Sequence, residues 1–206
     1  GNIIACADEN NELWEISISK KTKILLTDFE GKKLNGPNDL WIDGAGGIYF
    51  TDPYYQRDYW TRTKPEQPGR YLYYFERATK KITIVDTAFT QPNGIIGSSD
   101  GKYLYVADIG ASKTYRYNID GNGRLSNRVL FVDQGSDGMT LDNKGNLYLT
   151  GKGVTIYDPS GKKIMNIPVP ESWTGNVCFG GKDKNILFIT ASKSVFTLKM
   201  RVKGNL

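Results

Sequence analysis

A seven-residue pattern that recurs five times constrains the fold of this chain more than any other feature. Each copy is rich in aliphatic and aromatic residues, as expected of a β-strand that is buried on both faces. The copies are NIIACAD (2–8), GGIYFTD (46–52), KYLYVAD (102–108), GNLYLTG (145–151) and NILFITA (185–191). A turn that contains Gly, Asp or Asn precedes each of the last four copies. Such repetition predicts an architecture built from one repeated unit of short strands.

Further short apolar runs flank each copy of the pattern. One run lies upstream, starting near residues 38, 93, 137 and 176, and one or two runs follow downstream. The unit is therefore four antiparallel strands in about 40–55 residues, which is the size of one β-propeller blade. No segment of useful length has a helical period. We expect an all-β fold: one β-propeller domain over residues 1–206, with a partial blade over residues 1–37 and blades that start near those four residues.

The blade count of this sequence does not close into a ring. The chain begins at the second strand of a unit, because Gly1 and Asn2 align with Gly145 and Asn146. A closed propeller needs whole blades, and an open arc of blades leaves strand edges unpaired. We therefore expect an N-terminal part of the propeller, about one and a half blades, to be absent from this sequence or to be supplied by a partner.

The first strand of each later unit opens with an amide or carboxylate residue. These residues are Asn38, Asn93, Asp137 and Asn176, and each lies 8 or 9 residues before the seven-residue pattern. The first strand of a propeller blade is innermost, so equivalent positions direct their oxygen atoms at one central axis. Converging amide and carboxylate oxygens favour a calcium-type site. The alternative is that these residues form Asx-turns at strand starts.

Composition narrows the chemistry of such a site. The chain has no histidine, which excludes Ser-His-Asp and Cys-His catalysis and His-ligated zinc. Cys6 and Cys178 lie in apolar runs, which predicts two buried small side chains and no disulfide framework. The net charge is +5, but the Lys and Arg residues are scattered at turns, so we expect no nucleic-acid partner. No apolar run approaches the roughly 18–20 residues of a membrane span, so we expect no membrane partner.

The segment that follows Asp52, PYYQRDYWTRTKPEQPG, is a long aromatic loop. Long loops in compact domains are often functional. This one could cover the mouth of the channel and stack on a ring-shaped ligand. The alternatives are a self-packed loop or a contact with a partner.

Four stretches of the chain resemble one known family. They are LNGPNDLWIDGAGGIYFTDPYY, QPNGIIGSSDGKYLYVADIGASKTYRYNIDGNGRLSN, SDGMTLDNKGNLYLT and GNVCFGGKDKNILFITA. Taken together they resemble the gluconolactonase family, which includes senescence marker protein (regucalcin) and luciferin-regenerating enzyme. The resemblance extends over essentially the whole chain. It implies a six-bladed propeller with one divalent metal ion in the central channel, and hydrolysis of sugar lactones.

The resemblance also implies individual site residues. Asn93 in QPNG and Asp137 in SDGM match metal ligands of the family, and Asn38 in GPND matches a contact to the substrate or to the metal shell. Calcium is the favoured ion, with magnesium, zinc and manganese as alternatives. The family's third protein ligand, a glutamate in the first blade, has no match in this sequence. If the sequence is complete, its metal site lacks a ligand and its activity is in doubt.

The function predicted from these residues is metal-dependent opening of a small-molecule lactone by an activated water. Asp137 would hold the metal and take the proton of the water. Asn38 and Asn176 would orient the lactone, and Asp52 and Tyr54 are further candidates at the channel mouth. The alternatives are a turn-capping aspartate at Asp52, because Asp also ends the pattern at Asp8 and Asp108, and a packed tyrosine at Tyr54. Two other functions stay open: a propeller that binds calcium or a ligand without turnover, and an interaction scaffold.

Overall fold

The computed structural model describes residues 1–205, which form twenty β-strands and no helix. The strands are β1 (Ile3–Ala7), β2 (Glu12–Ile16), β3 (Thr22–Leu26), β4 (Asp28–Phe29), β5 (Lys32–Lys33), β6 (Leu40–Ile42), β7 (Ile48–Asp52), β8 (Tyr71–Glu76), β9 (Lys81–Asp86), β10 (Pro92–Gly97), β11 (Tyr103–Asp108), β12 (Lys113–Gly121), β13 (Arg124–Val132), β14 (Met139–Leu141), β15 (Leu147–Gly151), β16 (Gly153–Tyr157), β17 (Lys163–Ile167), β18 (Thr174–Gly180), β19 (Ile186–Ala191) and β20 (Ser194–Lys199).

The strands form five antiparallel sheets in chain order, each a meander in which consecutive strands pair. The first sheet contains β1–β3, the next three contain β6–β9, β10–β13 and β14–β17, and the last contains β18–β20. A short hairpin, β4–β5, lies between the first two sheets. We number the five sheets as blades 1 to 5. The all-β propeller predicted from the repeat is confirmed, but the described residues form five blades and not the six that the resemblance implies.

The recurring seven-residue pattern supplies the second strand of every four-stranded blade. In β7 every residue from Ile48 to Asp52 is buried, and in β15 only Gly151 at the end of the strand is partly exposed. Apolar side chains therefore face both neighbouring blades, as the sequence predicts for a strand that is covered on both faces. Between blades 2 and 3, for example, Tyr49 packs in one cluster with Ile95 and Leu104.

Two glycines allow the innermost strands of neighbouring blades to approach each other. A Cβ at Gly94 would lie 2.5 Å from the backbone oxygen of Asp137, and a Cβ at Gly138 would lie 2.1 Å from Oδ1 of Asn176. Each glycine directly follows a residue of the repeated Asn/Asp position. The glycines therefore bring these positions of successive blades together around the axis.

The two cysteines are unpaired, as predicted, but their predicted burial is wrong for one of them. Cys6 is partly buried, whereas Cys178 is exposed on β18. Cys178 pairs in register with Phe188 of β19, on a face of blade 5 that no described blade covers. Residues 1–205 contain no helical segment with the length and hydropathy of a transmembrane span.

Candidate active site in the central channel

Residues at the start of the innermost strands and in the long loop after β7 line an open cavity of about 390 Å³. We call it the channel cavity. The residues that line it are Asn38, Tyr55, Arg57, Gln91, Asn93, Ile109, Asp137 and Trp173. Three of the four residues at the repeated Asn/Asp position, from three successive blades, therefore lie at one cavity. This is the arrangement that the repeat predicts for them.

Asn93 is the most buried of these three residues, with 3% of its surface exposed. Its Nδ2 donates a hydrogen bond to the hydroxyl of Tyr55 at 2.7 Å. Its backbone oxygen accepts a hydrogen bond from Oγ1 of Thr51 in blade 2 at 2.8 Å. Its Oδ1 has no hydrogen-bond partner among the described residues, although it is buried. A buried oxygen without a donor is costly in a folded protein and suggests a further ligand at that atom.

Asp137 lies next to Asn93 and supplies the only carboxylate among the residues that line the channel cavity. Its Oδ2 accepts a hydrogen bond from Nε1 of Trp173 at 3.1 Å. Burial raises the pKa of Asp137, and the hydrogen bond from Trp173, the side chain of Asn93 and the charge of Arg57 oppose this increase. The carboxylate is therefore partly desolvated, yet it is held in one orientation.

Asn38 and Asn176, which the sequence places at equivalent positions, differ in the structure. Asn38 lines the channel cavity, and its backbone N–H donates to the oxygen of Thr51 at 2.9 Å. Asn176 is exposed and does not line that cavity. Its Oδ1 accepts a hydrogen bond from the backbone N–H of Val177 at 2.7 Å. The bond is local but is not an Asx-turn, in which the donor would be the N–H two residues on. Asn176 therefore lies away from the other residues of the repeated position that line the channel cavity.

Asp52 is also placed away from the channel cavity. It is fully buried, and its two carboxylate oxygens accept hydrogen bonds from the backbone N–H groups of Asn35 and Gly36, both at 2.8 Å. Asp108 in blade 3 caps the N–H groups of Thr90 and Gln91 in the same way. These bonds match the structural alternative for Asp52, a cap on the chain that enters the innermost strand.

The aromatic loop divides into a part that packs on the protein and a part that reaches the channel cavity. Tyr54 contacts the ring of Trp60 with centroids 5.6 Å apart, and Arg62 lies 4.1 Å over the Trp60 ring. Tyr54 does not line the channel cavity, so the structure places it apart from Asn38, Asn93 and Asp137. Tyr55 and Arg57 do line it. The segment with Tyr55 and Arg57 thus lies over the channel cavity, and the contacts of Trp60 anchor the rest of the loop.

Several residues of the channel cavity lie outside the repeated position and were not predicted as site residues. Trp173 and Gln91 lie three and two residues before the Asn/Asp position of their blades, in the chain that enters the innermost strand. Because they occupy different positions of the blade and neither residue type recurs at its equivalent positions, the repeat gives no signal for them. Arg57 depends on the path of the aromatic loop, and its Nε lies 3.4 Å from Oδ2 of Asp8 in blade 1. That path is not readable from a repeat.

The oxygen atoms at the channel cavity are of the type that binds a hard divalent cation, but they include only one carboxylate. Among residues 1–205 no group of three or more His, Cys, Asp and Glu side chains is close enough to hold a metal ion. The oxygens present are the unpartnered Oδ1 of Asn93, the carboxylate of Asp137 and the amide oxygen of Asn38. Amide and carboxylate oxygens are ligands that calcium accepts. These three residues fit such an ion, although they supply only one negative charge.

Comparison with known proteins decides the family. A sequence profile of the SMP-30/Gluconolactonase/LRE-like region matches residues 1–193. The chain belongs to this family. The resemblance stated from the four sequence stretches is therefore confirmed.

Relatives of the chain are known both by sequence and by structure. The gluconolactonase of Zymomonas mobilis is 28% identical, over 91% of this chain and 56% of its own length. The diisopropyl-fluorophosphatase of Loligo vulgaris is 31% identical, over 89% of this chain and 62% of its own length. A gluconolactonase structure from Xanthomonas campestris superposes with a TM-score of 0.87 at 26% identity, covering 96% of this chain and 68% of that one. The chain therefore spans little more than half the length of the curated relatives that it matches.

Proposed function

We propose that this propeller is a lactonase that hydrolyses a sugar-type lactone in the channel cavity. The observation that carries the proposal is the convergence of Asn38, Asn93 and Asp137, from three blades, on one cavity. The names of relatives support it, since gluconolactonase, lactonohydrolase and pentonolactonase occur among them. The absence of histidine removes the usual activation of a serine or cysteine nucleophile, which favours attack by water.

The proposed cofactor is one divalent cation, with calcium favoured. Asn93 and Asp137 would hold it, and the buried Oδ1 of Asn93 supports this assignment because no described residue donates to it. A cation at this position would polarise the lactone carbonyl and increase the acidity of water. Names of relatives point the same way, since regucalcin occurs among them and one related structure is named a calcium-binding protein.

In the proposed hydrolysis, the side chains of the protein need to transfer one proton. The oxygen of water adds to the lactone carbonyl carbon, and the ring C–O bond then breaks to give a hydroxy acid. In this proposal Asp137 accepts the proton that water loses and returns it to the departing ring oxygen. Burial raises the pKa of Asp137, which makes its carboxylate a better base. The hydrogen bond from Trp173 holds the carboxylate in a fixed orientation.

Other residues of the channel cavity would bind and orient the substrate. Asn38 offers an amide to the carbonyl or to the hydroxyl groups of the lactone. Tyr55, whose hydroxyl accepts a hydrogen bond from Asn93, presents an aromatic surface toward a sugar ring. Arg57 adds a positive charge near the carboxylate product, and the aromatic loop limits access of bulk water.

We further propose that the complete propeller has six blades, as the family resemblance implies. Blades 1 and 5 each expose apolar side chains on a face that no described blade covers. On blade 1 these include Ile3 and Ile24, which are 65% and 53% exposed, and on blade 5 they include Val195, which is 67% exposed. A blade between them would bury both faces and complete the ring.

Replacement of Asp137 tests the proposed function. Lactone hydrolysis and bound calcium are measured for the wild type, for Asp137→Ala and for Asp158→Asn, an exposed turn aspartate that serves as the control. A lactonase loses both activity and metal on Asp137→Ala and keeps both on Asp158→Asn. Metal bound without hydrolysis by the wild type would favour a non-catalytic calcium-binding propeller. A wild type with neither property would favour an interaction scaffold and overturn the proposal.

A further inference from the structure

Blades 2 and 3 share an aspartate cap at the end of their second strand. Asp52 ends β7 and accepts hydrogen bonds from the backbone N–H groups of the residues 17 and 16 positions before it. Asp108 ends β11 and accepts two such bonds, from Thr90 and Gln91, both at 2.8 Å. In both blades the two oxygens of one aspartate side chain therefore accept hydrogen bonds from a pair of adjacent N–H groups at the entry to the innermost strand.

Blade 4 has a glycine where blades 2 and 3 have this aspartate. Gly151 ends the recurring pattern, directly after Thr150, as Asp52 directly follows Thr51. The two threonines are equivalent because each accepts, through Oγ1, the backbone N–H of the residue after the Asn/Asp position: Thr51 from Asp39 at 3.3 Å and Thr150 from Gly138 at 3.0 Å. The residues that precede Gly151 by 17 and 16 positions are Gln134 and Gly135.

The paired N–H groups of blade 4 are therefore left without their carboxylate. Within residues 1–205 neither the backbone N–H of Gln134 nor that of Gly135 donates to any acceptor. Space for an acceptor is present, since a Cβ at Gly151 would meet only Nε2 of Gln134, at 3.8 Å. Gln134, Gly135 and Gly151 line a cavity of about 350 Å³, which we call the side cavity.

The donors around this space are arranged to receive an anion with two acceptor oxygens. Besides the two backbone groups, the side-chain Nε2 of Gln134 has no acceptor among the described residues, while its Oε1 is fixed by a hydrogen bond from the hydroxyl of Tyr157 at 2.8 Å. The adjoining cavity, of about 550 Å³, is lined by Lys152 and Lys163, which add positive charge. Asp133 is the one acidic residue that lines the side cavity, and it is exposed.

We propose that the side cavity binds the carboxylate group of a small organic acid. The carboxylate would accept hydrogen bonds from the N–H groups of Gln134 and Gly135, where the side chain of an aspartate does so in blades 2 and 3. Hydrogen bonds to an ionised carboxylate are stronger than those between neutral groups. A carboxylate is favoured over a spherical anion because the two N–H groups in the equivalent blades bind two separate oxygens of one group.

The carboxylate could arrive free or as part of a molecule in the channel cavity. Ile109 and Trp173 line both the channel cavity and the side cavity, so the two spaces adjoin. Acetate and gluconate both carry a carboxylate group. Only gluconate has a chain long enough to extend from the side cavity into the channel cavity. Binding at the side cavity does not depend on the proposed lactonase activity, because the predicted contacts involve none of Asn38, Asn93 and Asp137.

Backbone amide resonances provide a direct test of the proposal. The ¹⁵N-labelled chain is titrated with sodium acetate and, separately, with sodium gluconate, against sodium chloride at the same ionic strength. We expect a saturable shift of the Gln134 and Gly135 amide resonances with acetate and not with chloride. If gluconate binds more tightly than acetate and also shifts the Asn93 and Trp173 resonances, which acetate leaves unchanged, the ligand is an acid that extends into the channel cavity. Equal affinity with shifts confined to the side cavity would identify a free carboxylate site.

Two variants of Gly151 and one control variant make the test specific. Gly151→Asp restores the cap of blades 2 and 3, so its own carboxylate should compete and weaken acetate binding by about tenfold or more. Gly151→Leu should block the space without adding charge and so weaken acetate binding. It provides the test if Gly151→Asp does not fold. Asp158→Asn, at an exposed turn that does not line the side cavity, is the control and should bind acetate like the wild type. The proposal is overturned if the wild type shows no saturable shift with either acid, or if both Gly151→Leu and a folded Gly151→Asp bind acetate unchanged.

Discussion

The side chain of Asp39 in blade 2 reaches across to blade 3, where its Oδ2 accepts a hydrogen bond from the backbone N–H of Ile95 at 3.0 Å. Its Oδ1 accepts a second bond, from the N–H of Leu40, at 2.9 Å. The equivalent residue is Gly94 in blade 3 and Gly138 in blade 4. At each glycine the innermost strand of the following blade packs against the backbone. Blades 2 and 3 are thus joined by a carboxylate where the following pairs of blades are joined by close packing.

Replacement of Asp39 by glycine tests this junction. Asp39→Gly should lower the free energy of unfolding by about 1–3 kcal/mol. The N–H of Ile95 loses its acceptor, and the innermost strands of blades 2 and 3 do not move closer together to compensate. Urea unfolding followed by tryptophan fluorescence measures the effect. Asp39→Asn keeps one acceptor oxygen and should cost less. Equal stability of the glycine variant and the wild type would show that the bond between the blades contributes nothing.

The sequence predicted the propeller and the convergence of its innermost residues, because a repeat determines which positions are equivalent. Asn38, Asn93 and Asp137 lie at the channel cavity for that reason. Asn176 does not line it, and its Oδ1 instead accepts a hydrogen bond from the backbone of Val177, which residue type alone does not reveal. Arg57 is brought to the channel cavity by a loop whose path depends on contacts with distant residues, such as the ion pair with Asp8. Equivalence between blades carries no information on such contacts.

The absence of a side chain at Gly138 should be required for the packing of blade 5 on blade 4. In Gly138→Ala the new Cβ would lie 2.1 Å from Oδ1 and 2.9 Å from Cα of Asn176, so the strands must separate. We expect a loss of about 1–3 kcal/mol in the free energy of unfolding. Gly151→Ala is the matched control, since its Cβ has space, and it should change stability by less than about 0.5 kcal/mol.

A second substitution shows whether the effect of Gly138→Ala arises from this contact. Asn176→Ala removes Oδ1 and Cγ, the two side-chain atoms that the new Cβ would meet. In the double variant part of the lost stability should return, giving a favourable coupling energy between the two positions. Additive effects of the two substitutions would place the cause elsewhere in the backbone.

The buried cap Asp52 should make stability depend on pH. Burial raises the pKa of Asp52 to about 7, against the opposing hydrogen bonds from the N–H groups of Asn35 and Gly36 and the charge of Arg62. The folded state therefore keeps a proton that the unfolded state has released. Stability from this group is present below about pH 4 and is lost as the pH rises toward about 7, by at most about 1.4 kcal/mol per pH unit.

Asp52→Asn removes this titration. Its free energy of unfolding should increase relative to that of the wild type between about pH 4 and pH 7, because only the wild type ionises. Asp158 provides a comparison of opposite sign, since hydrogen bonds led by that of Ser160 lower its pKa. Parallel pH profiles for the wild type and Asp52→Asn would show that Asp52 keeps an ordinary pKa.

Trp173 should act as a positioning residue for Asp137 if the channel cavity hydrolyses lactones. Trp173→Phe keeps an aromatic ring but removes the Nε1–H that donates to Oδ2 of Asp137 at 3.1 Å. The carboxylate then loses a fixed orientation, so kcat should fall by about tenfold, equivalent to about 1.4 kcal/mol, with little change in KM. Trp173→Ala also removes a wall of the channel cavity and should raise KM as well. If Trp173→Phe has the kcat of the wild type while Trp173→Ala shows only a raised KM, the tryptophan serves substrate binding alone.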